Sequence, residues 1–386
     1  MQLLKKIKVI ILCCAGLTAC HKDHPVSYDR TVLVYMAADN SLSSDGYANI
    51  NLMLEGMKKV SGRLVIYFDS DDDVPRLMTV EKNSSGVPRL DTIAVYAEEN
   101  SASVKVLSRV VEQVKRLYPA DSYGLILWSH GMAWLPEGYN FPRNYHSYER
   151  RGEMPRTKYF GEDLHPSEGI GKEYMDIWEL GQGLPGGFHF ILFDACFMAS
   201  VESLYELRNK TEYVIAAPAE VIADGFPYDK MIPYLWGGEE DLKQVCREFY
   251  DYYNYHAHGG YWRSAMVSLV RMPELEALAV KARDILKGRT DFADAWSYPL
   301  SSSFLPDVFF DLGDYMRHMA SAEEYAAFQA VLDRTVVYRV TTGKFFGVSV
   351  SPEHFSGLST YIPYSKWAQM NTYYYSLGWP GYVYSE

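Results

Sequence analysis

Two residues of this 386-residue chain have the types and surroundings needed for nucleophilic catalysis. His130 lies at the end of "LILWSHG" and Cys196 at the end of "FILFDAC", 66 positions further on. Each stands just past an apolar run. A thiolate can attack a carbonyl carbon while a neighbouring imidazole stabilises it and protonates the leaving amine. Gly131, directly after the histidine, lets the backbone approach a substrate, and its N–H can face an oxyanion. The alternative is simple packing, because free cysteine is most often core and a lone histidine most often a satisfied hydrogen-bonding group. The two residues alone leave both readings open.

Catalysis would require both side chains at one place, so the elements carrying them matter. The stretches 31–38, 63–70, 123–131, 188–196 and 212–220 are near-continuous apolar runs and read as strands. Between them, "SLSSDGYANINLMLEGMKKV" and 101–119 show helical spacing, the second ending at Pro119. Residues around Ser85 and Gly86 read as a hairpin turn. This alternation predicts an α/β fold, a mostly parallel sheet covered by helices on both faces. In such sheets ligands bind beyond the carboxyl ends of the strands, where His130 and Cys196 both fall. "FMAS", after the cysteine, is expected to open a helix whose N-terminal dipole would hold a thiolate. Cys246, in "EDLKQVCREFYDYY", reads as a packed helical residue. The pattern changes past residue 240, so the expected division is a core domain over 31–260 and a C-terminal α+β accessory region over 261–386.

The chain is 48% hydrophobic and 22% charged, a globular composition. Residues 1–19 read as a signal segment. Lys5, Lys6 and Lys8 precede "VIILCCAGL", which is too short to span a bilayer. "LTAC" (17–20) resembles a bacterial lipobox, implying cleavage before Cys20, lipidation of its thiol and a tether over 20–30. The expected location is the cell envelope, lipid-anchored to a bacterial membrane and either periplasmic or surface-exposed. Without those three lysines the formal charge moves from −12 to −15. So acidic a body excludes non-specific nucleic-acid binding and suits cationic substrates. Only Cys196 and Cys246 then remain as body thiols, too few for a disulfide scaffold.

"WSHGMAW" and "FDACFMASVE" resemble the two active-site motifs of the clostripain-like cysteine peptidases, members of the caspase-like clan. "VYMAADNSL" (34–42) is similar to the family's first-strand signature, and "DLGDYM" (311–316) and "GLSTYIP" (357–363) are similar to its C-terminal ones. The resemblance implies a three-layer caspase-like α/β/α sandwich and a cysteine endopeptidase with a His130–Cys196 dyad. It implies an oxyanion site made by the N–H groups of Gly131 and Cys196. It also implies an acidic P1 pocket built from Asp194 and Asp224, with Glu220 as the alternative second acid. Two carboxylates would select Arg or Lys, since a guanidinium can be held bidentately. The chain departs from the family's Gly-x-Gly-Trp-Pro-Tyr segment at "ADGFPY", where Ala223 replaces the first glycine and Phe226 the tryptophan. That leaves the preference between Arg and Lys open. The insert 137–172 carries Arg143, Arg150, Arg151, Arg156 and Lys158, and the resemblance makes it a candidate for self-cleavage, set against an uncleaved surface loop.

No cofactor is expected. His256 and His258 lack companions for a zinc site. "DSDDD" (69–73) lacks the spacing of an EF-hand loop, so a solvated acidic turn is favoured over calcium, which the family's calcium-linked member keeps in view. The partners expected are peptide or protein substrates with basic residues and, through the lipid, a membrane. A monomer is expected. The competing class is a catalytically silent tethered binding protein that keeps the fold. A nucleotide-binding flavodoxin-like protein is disfavoured by the missing glycine-rich phosphate loop.

Overall fold

The computed structural model of the chain describes residues 28–135, 175–256, 259–289, 292, 294–300 and 307–385. The elements in chain order are β1 (Tyr28–Ala38), α1 (Ser43–Met57), β2 (Arg63–Ser70), β3 (Asp73–Lys82), β4 (Pro88–Val95), α2 (Val104–Leu117) and β5 (Ala120–Trp128). They continue with α3 (Ile177–Gly183), β6 (Phe188–Asp194), α4 (Val201–Glu206), β7 (Thr211–Ala216), α5 (Tyr228–Met231), α6 (Glu239–Asp251), β8 (Met266–Arg271) and α7 (Leu275–Leu286). The C-terminal third adds β9 (Phe310–Asp311), α8 (Leu312–Met319), α9 (Ala322–Thr335), β10 (Val336–Thr341), β11 (Lys344–Phe345), β12 (Val348–Ser349), β13 (Ser359–Thr360), α10 (Ala368–Tyr374) and α11 (Gly378–Val383).

Nine strands form one sheet in the order β10-β8-β7-β6-β5-β1-β2-β3-β4. The five central strands run parallel, and both edges are antiparallel. The sheet leaves β1 toward β2 in one direction and toward β5 in the other. Right-handed crossovers therefore put α1 on one face and α2 on the opposite one. The helices α1, α5 and α6 touch one another in series, as do α2, α3, α4 and α11. Helix α2 buries Leu107, Val110, Val111 and Val114, one stripe at helical spacing, and stops before Pro119. A three-layer α/β/α sandwich results.

The region after residue 260 packs against the core through the same sheet. β8 and β10 lie in it and extend that sheet, and the C-terminal ladder β9–β13 reaches back to the end of β6 through a bridge between Ser359 and Ser200. Backbone pairing continues across the expected boundary. In the C-terminal third, β11–β12 and β9–β13 are ladders of two residues a side. Cys246 is buried in α6, as its spacing predicted, and burial pushes its thiol well above the usual range. Among the described residues no helix is long and apolar enough to cross a membrane.

Candidate active site

Sheet register brings the two candidate residues together. β5 and β6 pair with Trp128 opposite Asp194. His130 and Cys196 each follow two residues later, so they leave the sheet side by side. They do so next to β1, where the chain reverses direction across the sheet, the point at which open α/β sheets bind ligands. Gly131 makes the approach closer than any other residue would permit. A Cβ at this position would lie 2.6 Å from the Cys196 carbonyl oxygen, 3.0 Å from the Ala195 Cβ and 3.2 Å from the Cys196 nitrogen. The histidine turn thus rests directly on the backbone of the cysteine turn.

Three loops shape the site. After β1, the Asn40 side chain donates to the Ala37 carbonyl and accepts from the Leu42 N–H, at 3.0 and 2.9 Å. That turn places the Ser41 hydroxyl 3.3 Å from His130 Nε2. After β6, Phe197 takes a left-handed φ of 64° and stacks on Phe309 with ring centroids 4.3 Å apart. The "FMAS" segment is therefore a turn. α4 begins only at Val201, capped by the Ser200 hydroxyl, and is six residues long. The expected helix dipole at the thiol is absent, because the chain must bend sharply to leave the sheet edge. After β7, residues 217–220 leave the sheet to serve the cysteine turn. Ala219 and Ala217 carbonyls accept from the Phe197 and Ala199 N–H groups, both at 2.9 Å. The Val221 N–H donates to Cys196 Sγ at 3.1 Å, and the thiol faces the Val221 carbonyl at 3.6 Å. Cys196 is fully buried and His130 is 9% exposed.

The acids are arranged on the α1/α5/α6 side of Cys196. Asp194 is fully buried, and its Oδ2 accepts from the Tyr228 hydroxyl at 2.9 Å and the Phe226 N–H at 3.4 Å. Its carboxylate therefore faces the "ADGFPY" loop rather than solvent. Gly225, at φ 70°, turns that loop, and Phe226 packs on Phe249 at 4.3 Å. Asp224 is half-buried and lines an open groove with Asp45, Asn49, Leu52 and Tyr252. Glu220 is buried beside Val221. Asp194, at the end of β6, is thus covered by the segment that holds Asp224, and Asp224 lines the groove.

Two tyrosines not singled out by the sequence tie these parts together. Past α6 the chain continues as a π-helical turn over Tyr252–His256, a form that recurs at functional sites. The Tyr252 hydroxyl donates to Asp224 Oδ2 at 3.0 Å, and the Tyr253 hydroxyl donates to the Gly225 carbonyl at 2.8 Å. Burial and the Asp224 charge push the Tyr252 phenol up to about 12. Burial, then the charges of Asp224 and Asp194, then Tyr252 and the cysteine, push the Tyr253 phenol up as well. The Tyr-rich composition of 250–255 was the available sequence signal. Ser41 had a weaker one, a hydroxyl in the loop after the first strand.

On the other side of His130 lies an apolar pocket lined by Tyr35, Leu107, Trp128, Met132, Leu135 and Met198 among others. In the acidic run 69–73, Asp72 and Asp73 are engaged by neighbouring side chains. The Tyr47 and Ser70 hydroxyls donate to Asp72 at 2.7 and 2.9 Å, and Arg76 pairs with Asp73 at 2.6 Å. Among the described residues no cluster of His, Cys, Asp and Glu could hold a metal ion. His256 is exposed against the Asp251 carbonyl, while His258, Cys20, Arg143, Arg150, Arg151, Arg156 and Lys158 lie outside the described residues.

A histidine and a cysteine thus stand at adjacent strand ends of a three-layer sandwich of the caspase-like fold, with acids beside the thiol. A model of the clostripain family, peptidase C11, matches residues 34–351, and the chain belongs to that family. Clostripain of Hathewaya histolytica is 26% identical over 251 residues, covering 55% of this chain and 44% of that protein. The chain therefore spans less than half the length of that relative. An inactive zymogen of a C11 protease from Parabacteroides distasonis superposes with a TM-score of 0.76 at 30% identity, covering 94% of this chain and 100% of that one. A secreted C11 cysteine protease from Bacteroides thetaiotaomicron, solved with an irreversible peptide inhibitor, gives 0.77 at 30% identity over 92% and 99% of the two chains.

Proposed function

We propose that this protein is a lipid-anchored cysteine endopeptidase that cleaves after Arg or Lys. The observation that carries the reading is the fit of Gly131 against the Cys196 backbone, which holds the histidine and cysteine turns in contact. In this mechanism the Cys196 thiolate attacks the scissile carbonyl carbon. The N–H groups of Gly131 and Cys196 receive the developing oxyanion. His130 delivers its proton to the leaving amine, and a thioester remains on Cys196. Water, deprotonated by His130, then releases the acid product and the thiol. Asp224, with Asp194 behind it, attracts the basic side chain. No cofactor enters these steps.

The buried thiol and the covered Asp194 fit a precursor whose pocket opens on activation. The relative described as an inactive zymogen supports that reading. We assign activation to self-cleavage in the basic insert 137–172. Intact masses of wild type and Cys196→Ala test it, and identical masses in both would remove self-processing. Cys20 is the proposed lipid site, tethering a monomer to the cell envelope. Metabolic labelling with a fatty acid should mark wild type and spare Cys20→Ser.

The activity test uses fluorogenic peptides with Arg, Lys, Asp or Ala at P1, with and without added calcium. Turnover of the basic peptides, lost in Cys196→Ala, is the expected result. No turnover of any basic peptide, even after limited tryptic nicking, would leave the silent binding protein as the better account.

A further inference from the structure

Glu202 lies on α4, six residues past the nucleophile, and is fully buried. Its Oε1 accepts from the Thr360 hydroxyl at 2.8 Å, the Tyr361 N–H at 3.0 Å and the Tyr374 hydroxyl at 3.4 Å. Its Oε2 is buried without a hydrogen-bond partner. A carboxyl in this setting is costly to keep. Its use lies in what it grips, a segment more than 150 residues away along the chain. That segment also receives the cysteine turn directly, since the Ser359 N–H donates to the Ala199 carbonyl at 3.0 Å. Its other side holds the histidine turn. Trp134, four residues past His130 and fully buried, packs on Tyr361 and Tyr374 with ring centroids 5.0 and 5.2 Å away, and those two rings are 4.9 Å apart.

Neither catalytic turn is held by regular structure. Phe197 at φ 64° and Ala133 at φ 54° mark both as strained loops. Both dock on the same C-terminal segment. We propose that Glu202 is a positioning residue for catalysis: by fixing Thr360, Tyr361 and Tyr374 to the helix behind Cys196, it locks Trp134 and so sets the spacing of His130 and Cys196. The inference rests on the cysteine-peptidase reading. It makes the C-terminal third of the chain a clamp on the active site.

The test measures kcat and KM of the full-length activated protein on an Arg-P1 fluorogenic peptide, with a thermal melt of each variant. Glu202→Leu removes the acceptor. Displacing a catalytic group by about 1 Å costs about 100-fold, so kcat should fall about 100-fold while KM stays within about twofold. Glu202→Gln keeps an acceptor oxygen and should stay within about threefold of wild type. Trp134→Leu should lower kcat at least about tenfold, and the double variant should be little worse than Glu202→Leu, because both break one chain of contacts. A folded Glu202→Leu with wild-type kcat, or losses that simply multiply in the double variant, would overturn the clamp. If Glu202→Leu does not melt cooperatively, Thr360→Val/Tyr374→Phe removes two of the three donors. A fall of about tenfold supports the clamp and an unchanged kcat overturns it. A wild type with no turnover on basic peptides defeats the peptidase reading and the clamp with it, whereas an active wild type beside an equally active Glu202→Leu defeats the clamp alone.

Discussion

Gly131→Ala isolates the contact on which the proposed dyad depends. The added methyl would sit 2.6 Å from the Cys196 carbonyl oxygen, and ordinary contact begins at 3.4 Å, so the two turns must part by ~0.8 Å. No flexible side chain can swing away to relieve the clash, because two of the three nearest atoms are backbone atoms of Cys196 itself. The shift falls on His130, on the thiol and on both proposed oxyanion donors at once. A misplacement of about 1 Å costs about 100-fold in rate, equivalent to about 3 kcal/mol of barrier. The assay is kcat/KM on an Arg-P1 fluorogenic peptide, with melting followed in parallel. Gly238→Ala serves as the control, since a Cβ there meets nothing within 4 Å. Gly131→Ala should lose about 100-fold, most of it in kcat, and the control should lose nothing. A folded Gly131→Ala within about threefold of wild type would refute the reasoning, because the two turns could then separate without harm to the chemistry.

Three further outcomes follow from particular contacts. Asp224→Asn removes the charge facing the groove and should raise KM for Arg and Lys peptides about tenfold or more, with little change in kcat; an unchanged KM would move the specificity acid elsewhere. Burial pushes the Glu202 carboxyl up to about 7 from its ordinary 4.5, although its hydrogen bonds pull it down. Because the folded state prefers the neutral acid, this group's stabilising contribution is full below about pH 4.5 and is lost as pH rises through about 7, on the order of 3 kcal/mol in all. Glu202→Gln cannot ionise, so its melting temperature should fall less than wild type's between about pH 5 and pH 8.5; equal slopes would contradict the assignment. At the amino-terminal end of β1, away from the candidate site, Arg30 donates to the Leu235 and Gly237 carbonyls at 2.9 and 2.7 Å and to the Ser122 hydroxyl at 2.9 Å. Arg30→Met should cost about 2–4 kcal/mol of stability by chemical denaturation and leave KM unchanged, and a changed KM with unchanged stability would contradict that separation.

Local pattern made much of this protein legible. Apolar runs alternating with helical spacing are enough to specify five parallel strands, because a strand buried on both faces must be apolar throughout. The placement of His130 and Cys196 just past two such runs follows from the same pattern, as does the helical burial of Cys246. Other features depended on contacts between distant segments. The strand register that sets Trp128 opposite Asp194 is a long-range pairing. The extension of the sheet past residue 260 required β8 and β10 to find the edge next to β7. "FMAS" has helical composition but forms a turn, because carbonyls released from the end of β7 capture its N–H groups. Asp194 and Asp224 are equivalent as letters, yet the loop at Phe226 and Tyr228 covers one and leaves the other at a groove. Tyr252 and Tyr253 carry no motif, and Ser41 and Glu202, although they lie inside "VYMAADNSL" and "FDACFMASVE", show nothing in local spacing of what they hold, since each acts on a partner many residues away. The sequence by itself determined which residues could do the chemistry and the class of fold that presents them. Which of them meet was settled by folding, because hydrogen bonds and ring contacts between segments that lie from 25 to 158 residues apart have no signature in local spacing.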